Sequence, residues 1–216
     1  MKKTPHVCLC ALLVLAMPAA RGQTLSLWAV DESGPVVNGT RQSPQLVVFT
    51  DYTSTSSSAI NYGRLVWDDN GVIREFAGGS STNAEAMALD SRTGQAWIIV
   101  NQVSGGFDEA TLFTVDLSTL GPSTQVVLAR IGPISGYTKV EALAYDEISG
   151  QLYAVAADQS GGNAEDFISI SKTTAAPVFI GDLTGVIAGV SESVDQTDGL
   201  EIVHTYNAAG LPISRV

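Results

Sequence analysis

Residues 85–97 read EAMALDSRTGQAW, and residues 141–153 read EALAYDEISGQLY. The same order of residue types recurs 56 positions later, and self-similarity at a fixed spacing constrains a fold more than composition does. Each copy opens on an acidic residue, Glu85 or Glu141. An apolar run follows, then a turn, DSRTG or DEISG. In such a turn Asp accepts hydrogen bonds from nearby backbone, and Gly takes the left-handed conformation. Gln95 or Gln151 then opens a second apolar run, AWIIV or LYAVA. Short runs of β-branched and aromatic residues bounded by turn residues predict a β-hairpin.

The two copies continue to agree downstream. A polar, Gly-rich stretch follows each hairpin, NQVSGGFDEA in one and ADQSGGNAE in the other, and two further apolar runs complete the unit. An earlier copy is more diverged. SLWAVD (26–31) and QLVVF (45–49) stand for its first two strands, and RLVWDDNGVIREFAGG (64–79) for the third and fourth, with Asp69-Asn70-Gly71 as a tight turn. A last copy starts at DGLEIVH (198–204). The expected fold is all-β, with propeller-like repeats of four-stranded antiparallel blades near 26–79, 84–132 and 140–183 and a partial fourth at 198–216. Tandem four-stranded units of roughly 40–57 residues are the pattern of a β-propeller. A β-sandwich also has short strands and regular turns, but it does not explain the repeat. Three blades and one strand fall short of a closed ring, so the count predicts an open arc.

The blocks Glu85-Ala86-Met87-Ala88-Leu89-Asp90 with Gly94, and Glu141-Ala142-Leu143-Ala144-Tyr145-Asp146 with Gly150, resemble the blades of secreted bacterial propellers of the NHL, YVTN and quinoprotein-like kinds. The resemblance spans about residues 26–204 and implies a fold more than a function. In such propellers the first strand of each blade lies innermost, so Glu85, Glu141 and Asp198 are expected near one axis. Carboxylates gathered there repel unless a cation or shared protons intervene, and hard oxygen ligands suit Ca²⁺. The cluster is thus a candidate metal site. Lactonase- and phytase-type propellers are similar in this respect, and they imply a Ca²⁺-dependent hydrolase that uses metal-activated water. The match reaches Glu85 and Glu141. The further amide and acidic ligands of those enzymes have no equivalent placement here, although Asn101, Asp158 and Asn163 lie on suitable loops. The other reading is a non-catalytic binding or scaffold module. Its polar loops would meet a protein or glycan partner, and its open blade edges would allow self-association.

Residues 1–22 read as a secretory signal peptide: Lys2 and Lys3, the apolar run VCLCALLVLAM, and a small-residue end before Gln23. The domain then spans 23–216, exported to the periplasm, the cell surface or the medium. Cys8, Cys10 and His6 leave with the leader, so the exported chain has no disulfide or thiolate site, and His204 is its only histidine. A Ser-His-Asp triad would need His204, whose simpler reading is an ordinary strand residue. Loss of Lys2, Lys3 and Arg21 from the 11 basic residues, against 22 acidic ones, takes the net formal charge from −11 to −14. Such a charge disfavours nucleic acid and anionic membranes, and no later run is apolar enough to span a bilayer.

Other signals are local. Asp68-Asp69-Asn70-Gly71 looks like half a calcium loop and reads as a turn. Asn38-Gly39-Thr40 is a glycosylation sequon. Trp28, Trp67 and Trp97 fall at strand positions, where packing is the commoner role. N-terminal sequencing of the exported protein is expected to begin at Gln23; a mature chain beginning at Met1 overturns the leader.

Overall fold

The structure is a computed structural model. It describes residues 9–11, 27–31, 36–37, 40–41, 43–49, 59–76, 82–102, 109–157, 165–187, 190–193, 200, 204–206 and 212–215. In chain order the strands are β1 (Leu9–Ala11), β2 (Leu27–Asp31), β3 (Val36–Val37), β4 (Thr40–Arg41), β5 (Gln45–Phe49), β6 (Ala59–Asp69) and β7 (Val72–Glu75). Then come β8 (Thr82–Asp90), β9 (Gln95–Gln102), β10 (Thr111–Asp116), β11 (Gln125–Pro133), β12 (Val140–Asp146), β13 (Gln151–Ala156), β14 (Asp166–Ile170) and β15 (Pro177–Asp182). The last are β16 (Thr184–Ile187), β17 (Val190–Ser193), β18 (His204–Tyr206) and β19 (Pro212–Arg215). The protein is all-β; among the described residues the only helical turn is a 3-10 turn at Leu117–Thr119. No helix of the described residues is long and apolar enough to cross a membrane.

The repeated hairpins form for the reasons their sequence gives. In the first turn Asp90 Oδ1 accepts from Arg92 N at 3.1 Å, and Gly94 N donates to Asp90 O at 2.9 Å. The second turn repeats this, with Ile148 N to Asp146 Oδ1 at 2.8 Å and Gly150 N to Asp146 O at 2.7 Å. Gly94 and Gly150 have φ of 78° and 69°, which a side chain would strain. The Gln after each turn acts as a clamp. Gln95 Nε2 donates to Val115 O at 2.9 Å, and Gln151 Nε2 to Ile170 O at 3.0 Å, tying the second strand to the end of the third. At 69–72 the Asn70-Gly71 turn has positive φ at both residues, 53° and 90°, as a two-residue hairpin with strand-matched twist requires.

Strands β1, β2, β5, β6, β11, β10, β9 and β8 lie side by side in that order, with β7 also on β6. β8 comes back beside β2, so this mixed sheet is a nearly closed, barrel-like wall. β12, β13, β14 and β15 form a separate four-stranded antiparallel sheet in chain order. Two apolar cores result. One fills the barrel-like sheet and includes Leu46, Leu65, Phe76, Ile98, Phe113 and Leu128. The other lies between the barrel wall and the four-stranded sheet and includes Trp97, Ile99, Leu112, Leu143, Leu152 and Ile168. β9 serves both. Ala96, Ile98 and Val100 face the first core, Trp97 and Ile99 the second. A strand covered on both faces is apolar throughout, and AWIIV is.

The four-strand pattern holds over β8–β11 and over β12–β15, each a run of consecutive antiparallel neighbours. The unit expected at 26–79 differs. β6 is 11 residues long, and its first half pairs with β5 while its second half pairs with β7. Its other edge carries β11 in parallel, Arg64 beside Gln125 through Asp68 beside Ala129. One long strand thus holds two short ones end to end, and the unit is not four strands abreast. Of the expected fourth unit, β18 and β19 are described as a hairpin; Asp198 and its neighbours lie outside the described residues. So does most of the expected leader, of which β1 pairs with β2.

Gly63 sits where β6 shifts register against β5, with φ of 127°. A Cβ there would lie 2.8 Å from Gln125 N and from Ser123 O. Gly63→Ala is expected to cost about 1–3 kcal/mol in urea unfolding. Gly121→Ala, where a Cβ meets nothing within 4 Å, should stay within about 0.5 kcal/mol.

Candidate functional site

Glu85 and Glu141 occupy the same special place in their hairpins. The β8–β9 register passes from Ala84 to Ala86 and skips Glu85; the β12–β13 register passes from Val140 to Ala142 and skips Glu141. Each glutamate is the extra residue of a β-bulge, a device that bends a strand and re-aims a side chain. β8 and β12 pack side by side, and the two glutamates meet in one charged neighbourhood. Lys139, just before β12, has both of them and Glu165 close enough to act on its ammonium.

The two carboxyls have different surroundings. Glu85 is partly buried, and its Oε2 accepts from Asn101 Nδ2 at 2.7 Å. The same amide donates to Val140 O at 2.9 Å, and Val140 N donates to Asn101 Oδ1 at 3.1 Å. Asn101 therefore does two things: it holds Glu85, and it satisfies both backbone groups of the residue before the second bulge. Glu141 is 8% exposed and pairs through Oε1 with Lys139 Nζ. Its Oε2 is buried and receives no N–H or O–H donor. Glu165, 5% exposed and immediately before β14, brings its carboxyl into the same neighbourhood, where it acts on Glu141.

Electrostatics follow this geometry. Burial raises the Glu141 pKa first and the Glu165 carboxyl raises it further, against the opposing pull of Lys139. For Lys139, burial works to lower the pKa, but the hydrogen bond to Glu141 and the charges of Glu85, Glu141 and Glu165 outweigh it and raise it. The arrangement is one ammonium among three carboxyls, two of them buried, and like charges so placed disfavour ionisation of Glu141.

The expected set Glu85, Glu141 and Asp198 is thus placed in part. The first two come together, and Asp198 lies outside the described residues, as do Asp158 and Asn163. Among the described residues no group of three or more His, Cys, Asp or Glu is placed to hold a metal ion. His204 falls in β18. Of the tryptophans, Trp97 stacks tilted on Tyr145 with centroids 4.9 Å apart, Trp28 meets Tyr62 edge-on at 4.8 Å, and Trp67 meets Phe113 at 6.2 Å.

Lys139 and Glu165 were missed in the sequence. Lys139 gave only its closeness to Glu141 in sequence as a signal, since it lies outside β12 and the bulge at Glu141 breaks the alternation of the strand. Glu165 gave none, because the copies differ there. Glu165 O accepts from Leu183 N at 2.7 Å as Ala110 O accepts from Ile134 N at 2.7 Å, so the equivalent residue in the other unit is an alanine.

No protein-family model and no curated protein matches the chain. Asn101→Ala would strand the Val140 N–H and C=O in a buried place and leave Glu85 without its amide. It is expected to cost about 2–4 kcal/mol in denaturant unfolding.

Proposed function

We propose that the chain is an exported, non-catalytic binding or scaffold module with a propeller-like organisation. Two runs of four antiparallel strands, β8–β11 and β12–β15, support the organisation. They pack face to face across one apolar core, and the first strand of each carries a bulged glutamate. Corresponding turns also touch: Ser91 N donates to Glu147 Oε1 at 3.2 Å and Ser91 Oγ to the same oxygen at 2.5 Å. Neighbouring copies of one unit, stacked in the same orientation, make such contacts.

One observation carries the non-catalytic reading. The carboxyls that would serve a hydrolytic centre are engaged by the protein's own groups, Glu85 by Asn101 and Glu141 by Lys139. A carboxylate tied into internal bonds positions backbone rather than substrate. The partner class remains a protein or a glycan met by the polar stretches NQVSGGFDEA and ADQSGGNAEDF, most of which lie outside the described residues. Self-association through a sheet edge belongs to the same reading, and β15, at the end of its sheet, offers such an edge.

Melting curves separate this from a Ca²⁺-dependent hydrolase. A bound ion stabilises by mass action, so the module reading expects the same melting temperature with EDTA and with millimolar Ca²⁺, and no turnover of lactones or phosphate esters. A Ca²⁺-dependent rise that Glu141→Gln abolishes, together with such turnover, overturns it.

A further inference from the structure

We propose that the cleft where β6 and β11 part is a binding site for a short neutral saccharide. The proposal rests on the binding-module reading and deepens it, naming a ligand class and a place for it on the wall of the barrel-like sheet.

The topology makes the cleft. β6 and β11 run in parallel register as far as Asp68 beside Ala129. Beyond that pair β6 turns back into β7 through Asn70-Gly71, while β11 continues along β10. β11 also bulges there: its register passes from Arg130 beside Phe113 to Gly132 beside Leu112 and skips Ile131. Bulges re-aim side chains and are common next to active sites. The space between the diverging strands is about 400 Å³, with Trp67, Asp68, Asp69 and Asn70 on one side and residues 130–133 on the other. That volume falls within the range of small-molecule sites.

The lining fits a hydroxyl-rich ligand without net charge. Trp67 is half-buried, and the guanidinium of the exposed Arg130 lies over its ring, 5.8 Å from the centroid. An aromatic ring offers apolar area to the C–H face of a sugar, and a guanidinium beside it offers planar N–H donors to neighbouring hydroxyls. Asp68 and Asp69 supply acceptors, and the β6–β7 turn fixes both. Gly71 N donates to Asp68 Oδ1 at 2.6 Å, Asn70 Nδ2 to Asp69 Oδ1 at 3.2 Å, and Arg74 Nε to Asp69 Oδ2 at 3.1 Å. A carboxylate accepts about four hydrogen bonds, so acceptor capacity is left for a ligand. Charge then selects among polar ligands. The two carboxylates are balanced by Arg130 and by the Arg74 that pairs with Asp69, so neither an anion nor a cation is favoured. A neutral polyhydroxyl ligand uses the donors and the acceptors together.

The test is a titration followed by NMR of nitrogen-bound protons, with the methyl glycosides of glucose, galactose, mannose and N-acetylglucosamine as probes. At least one probe at millimolar concentration is expected to shift the Trp67 indole and Asn70 side-chain signals, while inorganic phosphate and Ca²⁺ leave them in place. Arg130→Gln and Asp68→Asn are each expected to weaken that binding about tenfold, the scale of one hydrogen bond to a charged group. Asp68→Asn keeps the side-chain oxygen that holds the turn. Arg92→Gln, which removes an equal charge at the β8–β9 turn, should bind as the unsubstituted chain does. Absence of a shift with all four glycosides overturns the proposal, and this readout decides alone if a variant does not fold. So does binding that Arg130→Gln leaves intact, or a shift caused by phosphate or Ca²⁺ instead. These outcomes concern the cleft alone. The module reading fails separately, on Ca²⁺-dependent melting that Glu141→Gln abolishes together with turnover.

Discussion

Burial of both faces of β9 is the constraint on which the rest of the architecture depends. Ile98 and Ile99 are neighbours in sequence, both fully buried, and they belong to different cores. Burying such a side chain contributes about 1.5–3 kcal/mol, and the pleat sends alternate residues to opposite sides. The strand can therefore gain from every one of its residues only if something covers each face. On one side the barrel-like sheet closes over it, with Phe113 and Phe76 meeting edge-to-face at 5.3 Å. On the other side the sheet of β12–β15 provides the cover. Neither core is complete without β9, so the two sheets are parts of one cooperative body.

That stacking also explains the bulges. Sheets laid face to face bring their first strands, β8 and β12, side by side at one end of the apolar layer. A glutamate in regular register there would point into apolar packing or into the neighbouring strand. Inserting one extra residue turns its side chain out of the layer and toward polar partners. The cost is two ladder groups that lose their regular geometry. At Val140 that cost is offset by the Asn101 amide, which reaches across from β9 with one donor and one acceptor.

The hairpins, their Asp–Gly turns and the four strands of the second and third units were legible in the sequence because each depends on local chemistry. A turn needs its Gly within five residues, and a strand shows its period within six. Glu85 and Glu141 stood out as the residues that the strand pattern left over, and bulge geometry is the reason. The association of β6 with β11 was not legible. It depends on the length of β6 and on a parallel pairing between strands some sixty residues apart, which no local pattern encodes. The place of Glu165 was hidden for a related reason. It arises from a residue that breaks the repeat, and comparison of copies finds only what they share.

The outer strand of the four-stranded sheet carries a further consequence. Val178, Phe179 and Ile180 are exposed in succession, at 62%, 55% and 49%, so an apolar ribbon borders the sheet. Such an edge is a template for unwanted pairing between chains. Here the ribbon is short and bracketed. Pro177 has no N–H to offer an incoming strand, and Asp182 places a charge at the far end. These two residues act as gatekeepers. They narrow the stretch of this border that an incoming strand could pair with.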